Sequence, residues 1–134
     1  MSLLRGYIFA RPFMGERVPQ HVQNIVLRDY CRRFNHQLLL AATEYAMPDS
    51  TLILEGVLQE LDDIDGILCY SLFQLPRQRD VRMGVIDRVL AKRKSLHFAV
   101  ENLEIHDAGA AELVDQYWHV KHATEDGKTP FQQV

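Results

Sequence analysis

Arginine, glutamate and serine recur in this chain at one kind of place, the point where an apolar run stops. Arg11 follows Gly6-Tyr-Ile-Phe-Ala10, and Glu44 follows Leu38-Leu-Leu-Ala-Ala-Thr43. Ser71 follows Gly66-Ile-Leu-Cys-Tyr70, and Glu101 follows Leu96-His-Phe-Ala-Val100. A guanidinium is a planar fork for carboxylate or phosphate whose charge does not titrate away, which makes Arg11 the leading anion-binding candidate. Its alternative role is a structural bridge to Glu44 or Glu101. Two carboxylates facing one cleft could divide acid and base duties, so Glu44 and Glu101 are the candidates for proton transfer. Pairing with an arginine or a helix N-terminus competes with that role at each position.

Neutral hydrogen bonding is on offer from Ser71, Gln74 and Asn102. No histidine adjoins Ser71 and no Gly-x-Ser-x-Gly elbow surrounds it, so it reads as a ligand contact or turn cap, not a nucleophile. Arg17, Gln20 and Gln23 cluster after the first run, an unusually polar set for a mere connection. That loop has one glycine, Gly15, where a dinucleotide or Walker loop has several. No cofactor is expected. His119 and His122 stand three apart, but no third ligand has matching spacing, and no metal is expected either. Arg77, Arg79, Arg82, Arg88, Lys92, Arg93 and Lys94 gather positive charge within one stretch. Asp80 and Asp87 interrupt it and no aromatics interleave, so a solvated helix face is the first reading and a nucleic-acid patch the second. Arg77 is the exception, because it begins near the end of the third run.

The elements that carry these residues follow from periodicity. Each apolar run is short and continuous, as for strands covered on both faces. Between them, Val22, Ile25, Val26 and Phe34 predict a helix over about 19–34. Leu54, Val57, Leu58 and Leu61 predict a second, capped by Asp49 or Ser50, and Val81, Val85, Val89 and Leu90 a third, capped by Asp80. Ala110, Leu113, Val114, Tyr117 and Trp118 outline a fourth after Asp107. Alternating strands and helices predict a three-layer α/β/α sandwich with a mostly parallel sheet of four to five strands, in the resolvase-like or flavodoxin-like order 2-1-3-4. The polar run ends then collect along one sheet edge, where open α/β sheets bind ligands. Residues 1–123 read as a single domain and 124–134 as a mobile tail.

Bulk composition narrows the setting. With 47% hydrophobic and 25% charged residues the chain reads as an ordinary soluble domain, and its net charge of −3 exerts no overall pull toward nucleic acid or anionic lipid. No run approaches the length of a membrane span. Cys31 and Cys69 show no CxxC spacing and no disulfide framework, so a cytoplasmic location is expected. Tyr117 and Trp118 leave room for a homo-oligomer.

Two resemblances extend this reading. Arg11-Pro-Phe-Met-Gly-Glu-Arg-Val-Pro-Gln-His-Val-Gln-Asn24, Ala42-Thr-Glu-Tyr-Ala-Met-Pro48, Tyr70-Ser-Leu-Phe-Gln-Leu-Pro76 and His97-Phe-Ala-Val-Glu101 resemble the bacterial "sporadic carbohydrate cluster" proteins over about residues 5–105. That resemblance implies a role in surface-carbohydrate biosynthesis. The expectation is a phosphorylated or nucleotide-linked sugar held by Arg11, Arg17 and Arg77, with Gln20, Gln23, Ser71, Gln74 and Asn102 on its hydroxyls. Isomerase, epimerase or lyase chemistry would suit such a site. A non-enzymatic scaffold for pathway enzymes is the alternative. In layout, Tyr7-Ile-Phe-Ala-Arg11 and Ser71-Leu-Phe-Gln-Leu-Pro-Arg77 are similar to the serine recombinase catalytic domain. That family has a serine nucleophile two residues after the first-strand arginine, where this chain has Phe13. Its Asp-Arg-Leu-x-Arg run is matched only by the leucine and final arginine of Phe73-Gln-Leu-Pro-Arg77. The resemblance therefore implies the fold and anion-friendly Arg11 and Arg77, without serine-mediated strand cleavage. A degenerate recombinase-like DNA-binding domain is the remaining alternative, with nucleic acid not the leading partner.

Overall fold

A computed structural model describes residues 1–125, with side chains through Lys121. Five strands, β1 (Leu3–Phe9), β2 (Gln37–Glu44), β3 (Gly66–Cys69), β4 (Ser95–Phe98) and β5 (Leu103–Ile105), alternate with α1 (Gln20–Arg33), α2 (Leu52–Gln59), α3 (Arg79–Ala91) and α4 (Ala108–Glu125). They form one sheet in the order β2-β1-β3-β4-β5. β1 to β4 are parallel, and β5 pairs antiparallel with β4. The order 2-1-3-4 holds, and β5 adds the fifth strand. From residue 126 on, the expected tail falls outside the described residues.

Each sheet face is covered because the strands carry apolar residues on both sides. Leu27, Tyr30 and Cys31 of α1 pack with Leu4, Ile8 and Leu68 on one face. Leu54, Val57 and Leu58 of α2, Val85, Ile86 and Val89 of α3, and Val114 and Trp118 of α4 pack on the other, against Tyr7, Phe9, Ile67 and Phe98. That asymmetry follows from right-handed crossovers: the step from β1 to β2 runs one way along the sheet, and all later parallel steps run the other.

At Gly66 the parallel ladder leaves no room for a side chain. A Cβ there would sit 2.6 Å from the backbone oxygen of Ser95 and 2.6 Å from its Oγ. Relief would mean parting β3 from β4. Gly66→Ala is expected to cost about 2 kcal/mol, read as a lower urea midpoint at unchanged slope. An unchanged midpoint would contradict that packing.

One polar cluster interrupts the α1 face. His97 is 1% exposed, with Nδ1 2.8 Å from the Tyr30 hydroxyl and Nε2 2.8 Å from Ser95 Oγ. The His36 ring lies edge-on at 5.1 Å. Burial, with His36 and His106 nearby, pushes the His97 pKa down to about 4, and burial also raises Tyr30 to about 12.

Candidate functional site

The C-terminal ends of β1, β2 and β3 open into a cleft of about 950 Å³ on the α2/α3/α4 face. Tyr7 and Phe9 of β1 line it, with Arg11, Phe13 and Met14 from the loop after β1. The loop after β2 contributes Pro48, Ser50 and Thr51, that after β3 contributes Phe73, Gln74 and Arg77, and Val81 and Trp118 close it from α3 and α4. Phe13 is fixed by a tight turn. Phe13 and Glu16 exchange both backbone hydrogen bonds at 2.9 Å, and Met14 and Gly15 between them have φ of 51° and 77°. Two successive left-handed residues are the signature of a type I′ turn, so Gly15 serves the turn rather than a phosphate cradle.

Neither Glu44 nor Glu101 lines this cleft. Glu44 is fully buried, and its carboxylate caps α2. Oε1 accepts from the Tyr7 hydroxyl at 2.8 Å and the Leu54 N–H at 3.0 Å. Oε2 accepts from the Ser50 hydroxyl at 2.9 Å and the N–H groups of Tyr45 and Ile53 at 3.1 and 3.2 Å. Burial alone would raise this carboxyl. The Leu54 and Ile53 N–H groups and the Tyr7 and Ser50 hydroxyls outweigh it and hold the pKa below the ordinary value. Tyr7 is raised in turn, by burial first and then by the adjacent carboxylate. The caps expected from Asp49 or Ser50 are absent. Asp49 sits at φ 59°, and Ser50 donates to Glu44.

Glu101, which follows β4, plays the same part for the turn after β3. It accepts from Ser71 Oγ at 2.8 Å and from the Leu72 N–H at 2.9 Å. Ser71 Oγ in turn accepts from the Phe73 N–H at 3.2 Å, so the 3₁₀ turn Leu72–Gln74 is capped from both sides. Ser71 is thus a turn cap. Gln23 and Gln74 form a buried amide pair, the Gln74 amide donating to Gln23 Oε1 at 2.8 Å. Gln23 also exchanges hydrogen bonds with the Phe9 backbone, at 3.1 and 3.0 Å, as a further strand residue would. Its second donor reaches the Val18 carbonyl at 2.9 Å, while Gln74 Oε1 accepts from the Tyr70 N–H at 3.0 Å. The pair joins the ends of β1 and β3 beneath the cleft.

Arginines furnish the charge. Arg11 bridges neither Glu44 nor Glu101; its Nη1 donates to the carbonyls of Tyr45, Met47 and Ser50 at 3.0, 3.1 and 3.3 Å. Its guanidinium carbon lies 4.1 Å from the Phe9 ring centroid. Nε and Nη2 are left without an acceptor among the described residues. Arg77 is exposed at the rim and pairs with no described side chain. Arg17, Gln20 and Asn102 are exposed and lie outside the cleft lining. Asn102, at φ 54°, turns the chain from β4 to β5.

The basic stretch is largely neutralised by distant acids. Arg79 meets Asp115 at 3.0 Å, Arg88 meets Glu55 at 2.8 Å and Lys92 meets Asp62 at 2.9 Å. Arg82 is buried, donating to the Pro76 and Arg77 carbonyls and lying 4.5 Å over the Trp118 ring. Arg77 therefore remains as the cation of that stretch at the cleft. Among the described residues no group of three or more histidines, cysteines or acids is gathered to hold a metal, and no helix is long and apolar enough to cross a membrane.

The architecture matches solved proteins. The chain is similar to the N-terminal catalytic domain of TP901-1 integrase, with a TM-score of 0.64 at 16% identity over 93% of this chain and 99% of that one. It is similar also to a resolvase family site-specific recombinase from Streptococcus pneumoniae, with a TM-score of 0.65 at 7% identity over 92% and 91%. The fold is resolvase-like. At such identities the likeness establishes fold alone. No family model matches the chain, and no curated protein does. The expected place in carbohydrate biosynthesis, with a sugar as ligand, is corrected accordingly: the structural likenesses are to recombinase and integrase domains, and nothing supports the carbohydrate-cluster resemblance.

Aromatic residues are what sequence reading missed at this site. Phe13 meets Phe9 edge-to-face at 5.6 Å and Tyr70 at 6.1 Å, while Phe73 meets Trp118 at 5.3 Å. The available signal was their place: Phe13 and Phe73 fall in connections after strands, where packing alone does not call for a large ring.

Proposed function

We propose that this chain is a resolvase-fold domain that holds nucleic acid by its phosphate backbone at the cleft and does not cut it by serine attack. The observation that carries this reading is the pairing of Arg77 and Arg11 at a cleft where Phe13 stands two residues after the strand-end arginine. Phe13 supplies no nucleophilic atom. Ser71 is buried and engaged with Glu101. Arg11 can turn its free N–H groups to a phosphate oxygen while its third nitrogen stays fixed to the loop after β2, and Arg77 is free to approach from the rim. Arg17, exposed on the loop after β1, would extend the contact along a backbone. Glu44, Glu101, Gln23, Gln74 and Ser71 hold the loops that form the cleft rather than touching the ligand, as Asn102 does the turn after β4.

A net charge of −3 opposes any long-range attraction, so binding should be local and of micromolar strength. Two phosphate contacts predict about a tenfold loss of affinity between 50 and 200 mM salt. Fluorescence anisotropy with labelled DNA measures both quantities. Arg77→Glu, at an exposed position, is expected to weaken binding at least about tenfold and to lower the salt slope by about one. Absence of binding at low salt, or indifference to Arg77→Glu, would overturn the proposal.

A further inference from the structure

We infer that the aromatic recess of the cleft takes an unpaired base, so that the chain selects single-stranded or extruded nucleotides over continuous duplex. This rests on the nucleic-acid reading above and adds the form of nucleic acid to it. Phosphate recognition needs only the rim, where Arg77 and Arg11 stand. The cleft is far larger than that, at about 950 Å³, the upper end of what a small-ligand site encloses. Among the described residues five aromatic rings line it, those of Tyr7, Phe9, Phe13, Phe73 and Trp118. Phe13 and Phe73 are both part-exposed, come from different loops, and stand in front of buried Phe9 and Trp118. Edge-to-face contacts behind them, at 90° to Phe9 and 68° to Trp118, set the two rings rigidly. Lys121 Nζ lies 5.8 Å from the Phe73 centroid, a third cation, beside Arg11 and Arg77, within reach of a phosphate attached to a base at that ring.

Rings beside guanidinium groups suit a base carrying its phosphate, because every base has a π-face and every nucleotide an anionic link. A duplex keeps those faces stacked against one another and presents only its edges and backbone. Unpaired bases alone can enter the recess. One base–aromatic stack contributes about 1–3 kcal/mol, which converts to a preference of roughly 5- to 150-fold.

Three DNAs of equal length test this: a single strand, its blunt duplex, and the same duplex with a one-nucleotide bulge. The single strand and the bulged duplex are expected to bind at least about tenfold tighter than the blunt duplex. Trp118, the only tryptophan in the chain, lines the recess, and its fluorescence should change with the single strand but not with the blunt duplex. Phe73→Leu keeps apolar volume without a π-face and should abolish the preference while leaving duplex binding in place. Phe13→Leu, on the other loop, should reduce it independently. Equal affinity for all three DNAs, or a preference that survives both leucine variants, overturns the inference and leaves phosphate binding standing. Failure of all three to bind at low salt overturns both.

Discussion

Glu44→Ala is expected to lower the free energy of unfolding by about 4 kcal/mol, a large part of what a domain of this size possesses. The effect does not come from lost charge in itself. Five donors converge on this buried carboxylate, three backbone N–H groups and two hydroxyls. Alanine leaves the Ile53 and Leu54 N–H groups at the start of α2 with no acceptor, and each buried orphan costs about 1–3 kcal/mol. The hydroxyls of Tyr7 and Ser50 can turn elsewhere, so the total stays below the sum. Glu44→Gln should cost about 2 kcal/mol, because its carbonyl still accepts while its NH₂ faces donors. Because the folded-state pKa is lowered, the unfolded chain binds this proton first. The stabilisation is complete above the ordinary value of 4.5 and is lost as pH falls below it toward the folded value. Urea unfolding of both variants at pH 7 checks the ranking. A loss under about 1 kcal/mol for Glu44→Ala would show that the cap is not holding α2.

Glu44 also marks where sequence reading stops. The apolar runs and helical stripes gave strand positions and order, because each is a local pattern; the span of about 19–34 became Gln20–Arg33. Parallel order then followed from alternation and handedness. Asp49 and Ser50 were the natural caps of α2 by local rules, yet the acceptor comes from the end of a strand ten residues before Leu54. The same holds for Asp80, which lies inside the first turn of α3, with Gln78 as the capping position. A fifth strand was within the expected four to five, but β5 was not located, because three residues, Leu103–Ile105, are too few to display alternation. At the site, collection of polar strand ends along one edge was legible, but not which of them turn inward. Gln23 and Gln74 are 51 residues apart and meet only in the fold. Likewise the partners of the basic stretch, Glu55, Asp62 and Asp115, belong to α2, the turn after it and α4. What looked like a line of free charge is mostly paired once those elements pack.

Acid should unfold this protein earlier than its carboxylates alone would dictate, and His97 is the reason. The ring is buried between Tyr30 and His36 from the α1 side and Ser95, Glu104 and His106 from the sheet. Its two hydroxyl partners can accept from either ring nitrogen, so protonation does not break the hydrogen bonds. It fails because burial removes water from the cation and because His36 and His106 oppose a further positive charge. Glu104, 4.0 Å away and half-exposed, offsets this only partly. The folded pKa is about 4 against an ordinary 6.5, so between those values the unfolded chain carries a proton that the folded chain refuses. The stabilisation is complete above pH 6.5 and declines as pH falls, by about 2 kcal/mol at pH 5 and about 3 kcal/mol at pH 4. Glu44 acts only below 4.5, so the interval from pH 7 to pH 5 isolates the histidine. Urea midpoints at those two pH values measure it. His97→Asn should be less stable at pH 7, through lost packing, but nearly flat across the interval. A parent protein whose midpoint does not fall between pH 7 and 5, or an Asn variant whose midpoint falls as steeply, would mean that the buried imidazole takes its proton without opening the fold.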